Sequence, residues 1–278
     1  MKQRERTSLL SASESACATS EGMDQVAQID TRNAQRGTHT RSDVAVDQGL
    51  RAYMVRVYNY MAGGVFVTGL VAYATFSSAV MERTGPGARG LTEFGQLLYN
   101  SPLKWAVMLA PLAFVFFLSF RVNTMSVAAA QTSFWLFAAV MGLSLSSIFL
   151  VFAGESITQM FFVTAAAFGA LSLYGYTTKK DLSGWGTFLF MGVIGIILAA
   201  LVNLWLQSSA LQFAVSVIGV LVFAGLTAYD TQRIKDGYYE VMGDMTTTSK
   251  AAIMGALSLY LDFINMFTML LSLFGKRE

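Results

Sequence analysis

The sequence predicts an all-α integral membrane protein with seven transmembrane helices, and three observations carry that reading. Of the 278 residues 54% are hydrophobic and 13% charged, with a mean hydropathy of +0.52. A water-soluble chain carries about 25% charged residues, so this one has roughly half the charge that a water-facing surface needs. From Tyr58 onward the apolar residues gather in seven continuous stretches, each close to the ~20 residues that cross a bilayer as a helix. They do not alternate with period two, which excludes an outer-membrane barrel.

Residues 1–56 stand apart. They are rich in Ser, Thr, Gln and charge, lack helical or strand periodicity, and contain no aromatic residue before Tyr53. This composition reads as a disordered tail, leaving 57–278 as the membrane domain. The only apolar pair near the first basic residues is Leu9-Leu10, too little for the core of a cleaved signal peptide.

The seven spans fall near Tyr58–Val80, Leu103–Phe120, Ser126–Val151, Ile157–Tyr176, Trp185–Leu206, Leu211–Ala228 and Ala251–Phe274. Most connections are short; the first, about 81–102, and the sixth, about 235–250, are longer. Gly63, Gly64, Gly69, Gly142, Gly192, Gly195, Gly219 and Gly225 supply the small side chains that let helices approach closely in lipid. The hexapeptide GALSLY occurs twice, at Gly169–Tyr174 and Gly255–Tyr260. Fourteen Lys and Arg fall on the side of the tail and the even-numbered connections, against five on the other. That asymmetry puts the N-terminus in the cytoplasm and the C-terminus outside, with eight of the fourteen lying in the tail.

Composition also limits function. The 19 Lys and Arg against 17 Asp and Glu leave a net charge of +2, with no basic field to hold a nucleic acid. One cysteine, Cys17, and one histidine, His39, leave zincin, di-iron, thiolate and Ser-His-Asp chemistry without their parts. No catalytic residue and no resident cofactor is expected.

Three ionisable residues lie in or at the ends of spans: Asp230 at the end of the sixth, Asp262 near the middle of the seventh, and Arg121 at the end of the second. A carboxylate near a helix centre costs about 2.5 to 3.5 kcal/mol on insertion scales and so marks a candidate functional site. Thr227, Asp230 and Thr231 share one helix face by their spacing, as do Ser258, Asp262 and Asn265 on the next span. Facing each other, the two Asp would share a proton, and the titration would belong to the pair. Deprotonated, their oxygens would suit Ca²⁺ rather than a soft metal. Depth stands against the meeting: Asp230 is three residues from Arg233, about 5 Å along a helix, whereas Asp262 is 12 residues from Lys250, about 18 Å.

The run Ala224-Gly-Leu-Thr-Ala-Tyr-Asp-Thr-Gln-Arg-Ile-Lys235, followed by Leu259-Tyr-Leu-Asp-Phe-Ile-Asn265, closely resembles the signature of the Bax inhibitor-1 (TMBIM) family. Tyr176–Gly192 resembles the bacterial branch that includes the YccA-type proteins, and the likeness covers roughly residues 50 to 275. It implies a seven-helix fold with the last helix surrounded by the others, in a bacterial inner membrane. It further implies a pH-sensitive Ca²⁺ leak in which Asp230 and Asp262 form a di-aspartyl sensor and Arg121 serves as a latch. The expected partners are the lipid bilayer, Ca²⁺ and protons, and the alternative role is modulation of a membrane-bound AAA protease of the FtsH type. An intramembrane aspartyl protease would also carry a Tyr-Asp on the sixth helix. Its second Asp, however, sits in Gly-x-Gly-Asp ahead of a Pro-Ala-Leu, whereas Asp262 follows Tyr-Leu and the last proline here is Pro111.

Overall fold

The computed structural model describes residues 46–82 and 89–277; the tail before 46 and the tip of the first connection lie outside the described residues. The chain divides into a unit of 1–51 and a second, compact unit of 52–278. Seven helices are long and apolar enough to cross a membrane. They are α1 (Val46–Ala79), α3 (Leu103–Arg121), α4–α5 (Val127–Val151), α6 (Gly154–Thr177), α7 (Ser183–Leu206), α8 (Ser209–Val241) and α9 (Met245–Phe274). Within the third span, α4 covers Val127–Leu145 and α5 Ile148–Val151. The first connection holds a small antiparallel hairpin, β1 (Val80–Glu82) and β2 (Arg89–Leu91), with Val80 opposite Leu91. A short helix, α2 (Glu93–Tyr99), follows, capped by the Thr92 hydroxyl.

All seven predicted spans are helical, but three run past their apolar stretches. The first begins at Val46, the sixth continues to Val241, and the seventh starts at Met245. Hydropathy marks where a helix meets hydrocarbon; backbone hydrogen bonding continues wherever packing supports it. Here the extensions support each other: the rings of Tyr53 and Tyr238 lie 5.2 Å apart and both are buried. A single carboxylate then caps α9, where the two oxygens of Asp244 accept the backbone amides of Thr246 and Thr247.

The interior is organised round α9. Its most apolar segment is 56% buried, against 11 to 33% for the other six spans. It packs on α8, α6 and α4. The fully buried ring of Tyr260 meets Phe134 and Phe137 of α4 edge-on, and its hydroxyl shares a 2.6 Å hydrogen bond with Thr68 of α1. The outside carries the opposite chemistry: Phe66, Phe120, Phe188, Trp205 and Leu221 are exposed, as a lipid-facing surface requires. After α9 the chain folds back on α6, where Ala153 donates to the Lys276 carbonyl and the Lys276 amide to Ser156 Oγ.

Most of the predicted close contacts occur. A Cβ on Gly142 would lie 2.6 Å from the Thr68 carbonyl, and one on Gly64 would meet Phe134 and Tyr260. Gly69 and Gly195 instead have nothing within 4 Å of a Cβ. The tightest approach between two spanning helices is at Gly175 of α6, whose Cβ would sit 2.2 Å from the Ala228 carbonyl of α8.

Candidate functional site: the Asp230–Asp262 region

The α6–α8 approach sets the height of the site, because Ala228 lies half a turn before Asp230. From Asp230 to Lys235 every residue but Ile234 commits its side chain to a polar contact, and Ile234 is buried against Gly255 of α9. Thr231 Oγ1 donates to the Thr227 carbonyl and shares a 3.0 Å hydrogen bond with Ser172 of α6. Ser172 in turn meets the Tyr58 hydroxyl of α1. Gln232 accepts from the Leu182 amide at 2.8 Å and donates to the Lys180 carbonyl at 2.9 Å, so it pins the α6–α7 connection. Lys235 Nζ donates to the Tyr176 carbonyl, closing the last turn of α6.

Arg233 joins the two carboxylate helices. Its Nη2 lies 3.3 Å from Asp230 Oδ1 and 3.4 Å from the Ser258 hydroxyl of α9, and its guanidinium stacks over Tyr229 at 5.6 Å. The side chain is 54% exposed, while Asp230 is 10% exposed. Arg233 thus reaches a buried anion from the rim.

The helix register resolves the mismatch in depth. Ile234 faces Gly255 and Gly219 faces Met269, which brings Asp262 level with about Thr227. The two carboxylates are therefore offset by roughly one helical turn, about 4.5 Å along the axes. Distance to the nearest basic residue misleads here because α8 does not end at Arg233. It runs eight residues further, so Asp230 is also well inside its helix. Asp262 is buried, the charges of both Asp230 and Arg233 reach it, and its Oδ2 has no hydrogen-bond partner among the described residues.

The other expected site residues are distributed unevenly. Thr227 is fully buried but donates to its own helix at Phe223, and Asn265 likewise donates to Leu261. Ser258 reaches the site through Arg233. Arg121 is exposed at the last residue of α3, a helix that packs chiefly on α4. In this conformation the guanidinium beside Asp230 is that of Arg233. No group of three or more His, Cys, Asp and Glu gathers among the described residues, so a cation here would draw on hydroxyl and carbonyl oxygens as well.

A family model described as inhibitor of apoptosis-promoting Bax1 matches residues 50–278. The chain belongs to the Bax inhibitor-1 family. This family member is 48% identical to the inner membrane protein YbhL of Escherichia coli K12 over 242 residues, covering 86% of the chain and 98% of the relative. It is 48% identical to a protein of Caulobacter vibrioides over 238 residues, 84% of the chain and 92% of that relative. A membrane protein of Streptococcus pyogenes is 35% identical over 243 residues, 86% and 97% of the two chains. The Bax inhibitor-1 chain is thus a multi-pass membrane protein of the family that its Asp230 and Asp262 motifs suggested. Sequence reasoning missed Ser172, Gln232 and Arg233 as parts of the region; only the unbroken polar run after Tyr229 signalled that α8 had polar partners on several sides.

Proposed function

We propose that this Bax inhibitor-1 protein is a pH-gated cation leak, with Ca²⁺ as the ion and Asp230 and Asp262 as its gate. The observation that carries the reading is the buried Oδ2 of Asp262, unpartnered among the described residues and within reach of the Asp230 charge. A buried carboxylate oxygen without a donor calls for a proton or a cation. One proton shared between the two Asp removes their mutual repulsion and closes the site to Ca²⁺; its loss leaves a doubly negative, hard-oxygen site. The Arg233 guanidinium competes with the ion for Asp230. The bilayer, protons and Ca²⁺ are the only partners this mechanism needs, and a cytoplasmic N-terminus in an inner membrane puts the Arg233 rim on the cytoplasmic side.

The test is Ca²⁺ flux into liposomes between pH 5 and 9. Asp230→Asn and Asp262→Asn should each abolish most of the pH dependence, because either change leaves no second carboxylate to share a proton. The double substitution should add little to the worse single one, as for residues that act as a unit. Additive effects would mean separate sites. Flux indifferent to both changes would sink the gate.

A further inference from the structure

Between α6, α7 and α8, beside the 178–182 connection, lies a cavity of about 430 Å³. Ligand pockets span about 300 to 1,000 Å³, so this one has room for a small headgroup and the start of a chain. Its chemistry is graded. The wall toward the middle of the spans is aliphatic, with Ala224 half-buried in it. The end where α6 stops and α7 begins carries Lys180 and Asp181 in succession, together with the rings of Tyr174, Trp185 and Tyr229. Trp185 and Tyr174 are 59% and 49% exposed, the placement of aromatic residues at a bilayer interface.

The polar end is built rather than incidental. The Lys180 carbonyl is held by Gln232, and Asp181 Oδ1 accepts the Ser183 amide at 2.8 Å. The Ser183 side chain, and then its amide, hold the Asp181 carboxyl below its ordinary range, so it remains an anion at neutral pH. The Tyr229 ring is fixed against α7, where a Cβ on Gly186 would meet it at 2.5 Å.

We propose that this cavity binds one membrane phospholipid with a zwitterionic, primary-amine headgroup. The phosphate pairs with Lys180, the ammonium with Asp181 and the face of Trp185, and an acyl chain follows the aliphatic wall. Charge complementarity selects this lipid. An anionic headgroup without an amine sets its phosphate against Asp181, and a trimethylated amine has no N–H to give the carboxylate. Exposed Tyr174 and Trp185 in its lining put the cavity at the outer surface of the spans, within reach of bilayer lipid.

Native mass spectrometry of the full chain, released from detergent with equimolar palmitoyl-oleoyl phosphatidylethanolamine, phosphatidylglycerol and phosphatidylcholine, tests the proposal. One phosphatidylethanolamine should be retained about tenfold over the other two, the value of one charge-assisted hydrogen bond. Asp181→Asn should erase that preference, and Lys180→Gln should lower retention of all three lipids. Both residues are exposed on a connection, so neither change threatens the fold. Ala224→Phe, which fills the cavity, should remove the retained lipid in protein whose melting temperature is unchanged. Equal retention of the three lipids by the unaltered chain, or a preference that survives Asp181→Asn, overturns the proposal and leaves the cavity to unselected acyl chains.

Discussion

Asp262 holds a buried oxygen without a donor among the described residues, while about 4.5 Å along the bundle Asp230 is met by a guanidinium; the difference between the two carboxylates is where Arg233 reaches. An exposed i,i+3 ion pair is worth about 0.2 to 1 kcal/mol after solvent screening. Arg233→Gln should therefore raise Ca²⁺ leak by roughly two- to fivefold at neutral and alkaline pH, where the carboxylates are ionised, while Arg121→Gln should act only if α3 moves toward α9. Flux measured on both variants separates the two cations: a larger effect at Arg121 would return the latch to the position that family resemblance gave it. Spacing showed that Asp230 and Asp262 each head a polar stripe. It did not show which arginine lies at hand, because Arg233 looked like part of a helix end and lies within α8 instead. At the start of α9, the Thr247 side chain, then its amide and that of Thr246, hold the Asp244 carboxyl below its usual range. A carboxylate whose folded value is lowered stabilises above its unfolded value of about 4, and that contribution is lost as pH falls through the folded one. The protection of the Thr246 and Thr247 amides relative to their intrinsic exchange should thus fall below about pH 4, and Asp244→Asn should remove that fall; protection that tracks pH equally in both proteins would deny the cap this role.

Between elements, the controlling contact is the backbone approach of α6 and α8 at Gly175. Alanine there puts a methyl 2.2 Å from the Ala228 carbonyl, which forces the helices apart beside the Ser172–Thr231 bond. Overpacking of this kind costs about 1 to 3 kcal/mol. Gly169, two turns earlier on the same helix, has nothing within 4 Å of a Cβ, so alanine there should gain the ~0.5 to 1 kcal/mol of helix propensity instead. Thermal unfolding in detergent should show Gly175→Ala less stable and Gly169→Ala equal or better; a matching shift in both would mean that the close approach carries no weight. Glycine content alone foretold close packing but not which glycines take part, since that depends on the facing helix. The repeated GALSLY makes the same point: its last residue is the exposed Tyr174 on α6 and the fully buried Tyr260 on α9. One hexapeptide has two environments because burial in lipid is set by neighbours, not by polarity against water. The spans themselves were legible for the reason that burial was not, as hydrocarbon selects on apolar length alone.

At the scale of the whole molecule, the alternation of seven spans and the charge count lead to one topology that labelling can test in two independent parts. The first part rests on geometry. Lys276 bonds to Ala153 and Ser156, so the chain after α9 lies at the end where α6 begins. Glu155, exposed in the first turn of α6, must therefore share a side with Lys276, and Lys179, beyond the other end of α6, must lie opposite. The second part rests on charge: with 14 Lys and Arg on the tail side against five, that side is cytoplasmic. Six of the 14 precede α1, so removing the residues before Val46 should weaken the orientation while leaving the relative arrangement untouched. With Cys17 replaced by Ser, single cysteines at Glu155, Lys179 and Lys276 should fall into two classes with a membrane-impermeant maleimide. Glu155→Cys and Lys276→Cys should react in intact cells, Lys179→Cys only after permeabilisation, and the native Cys17 should behave like Lys179→Cys. Lys276→Cys reacting with Lys179→Cys would mean that α9 re-enters instead of crossing, which would take Asp262 out of register with Asp230. All classes exchanged together would keep the pair and reverse only its orientation, opening the Arg233 rim to the opposite compartment and its pH.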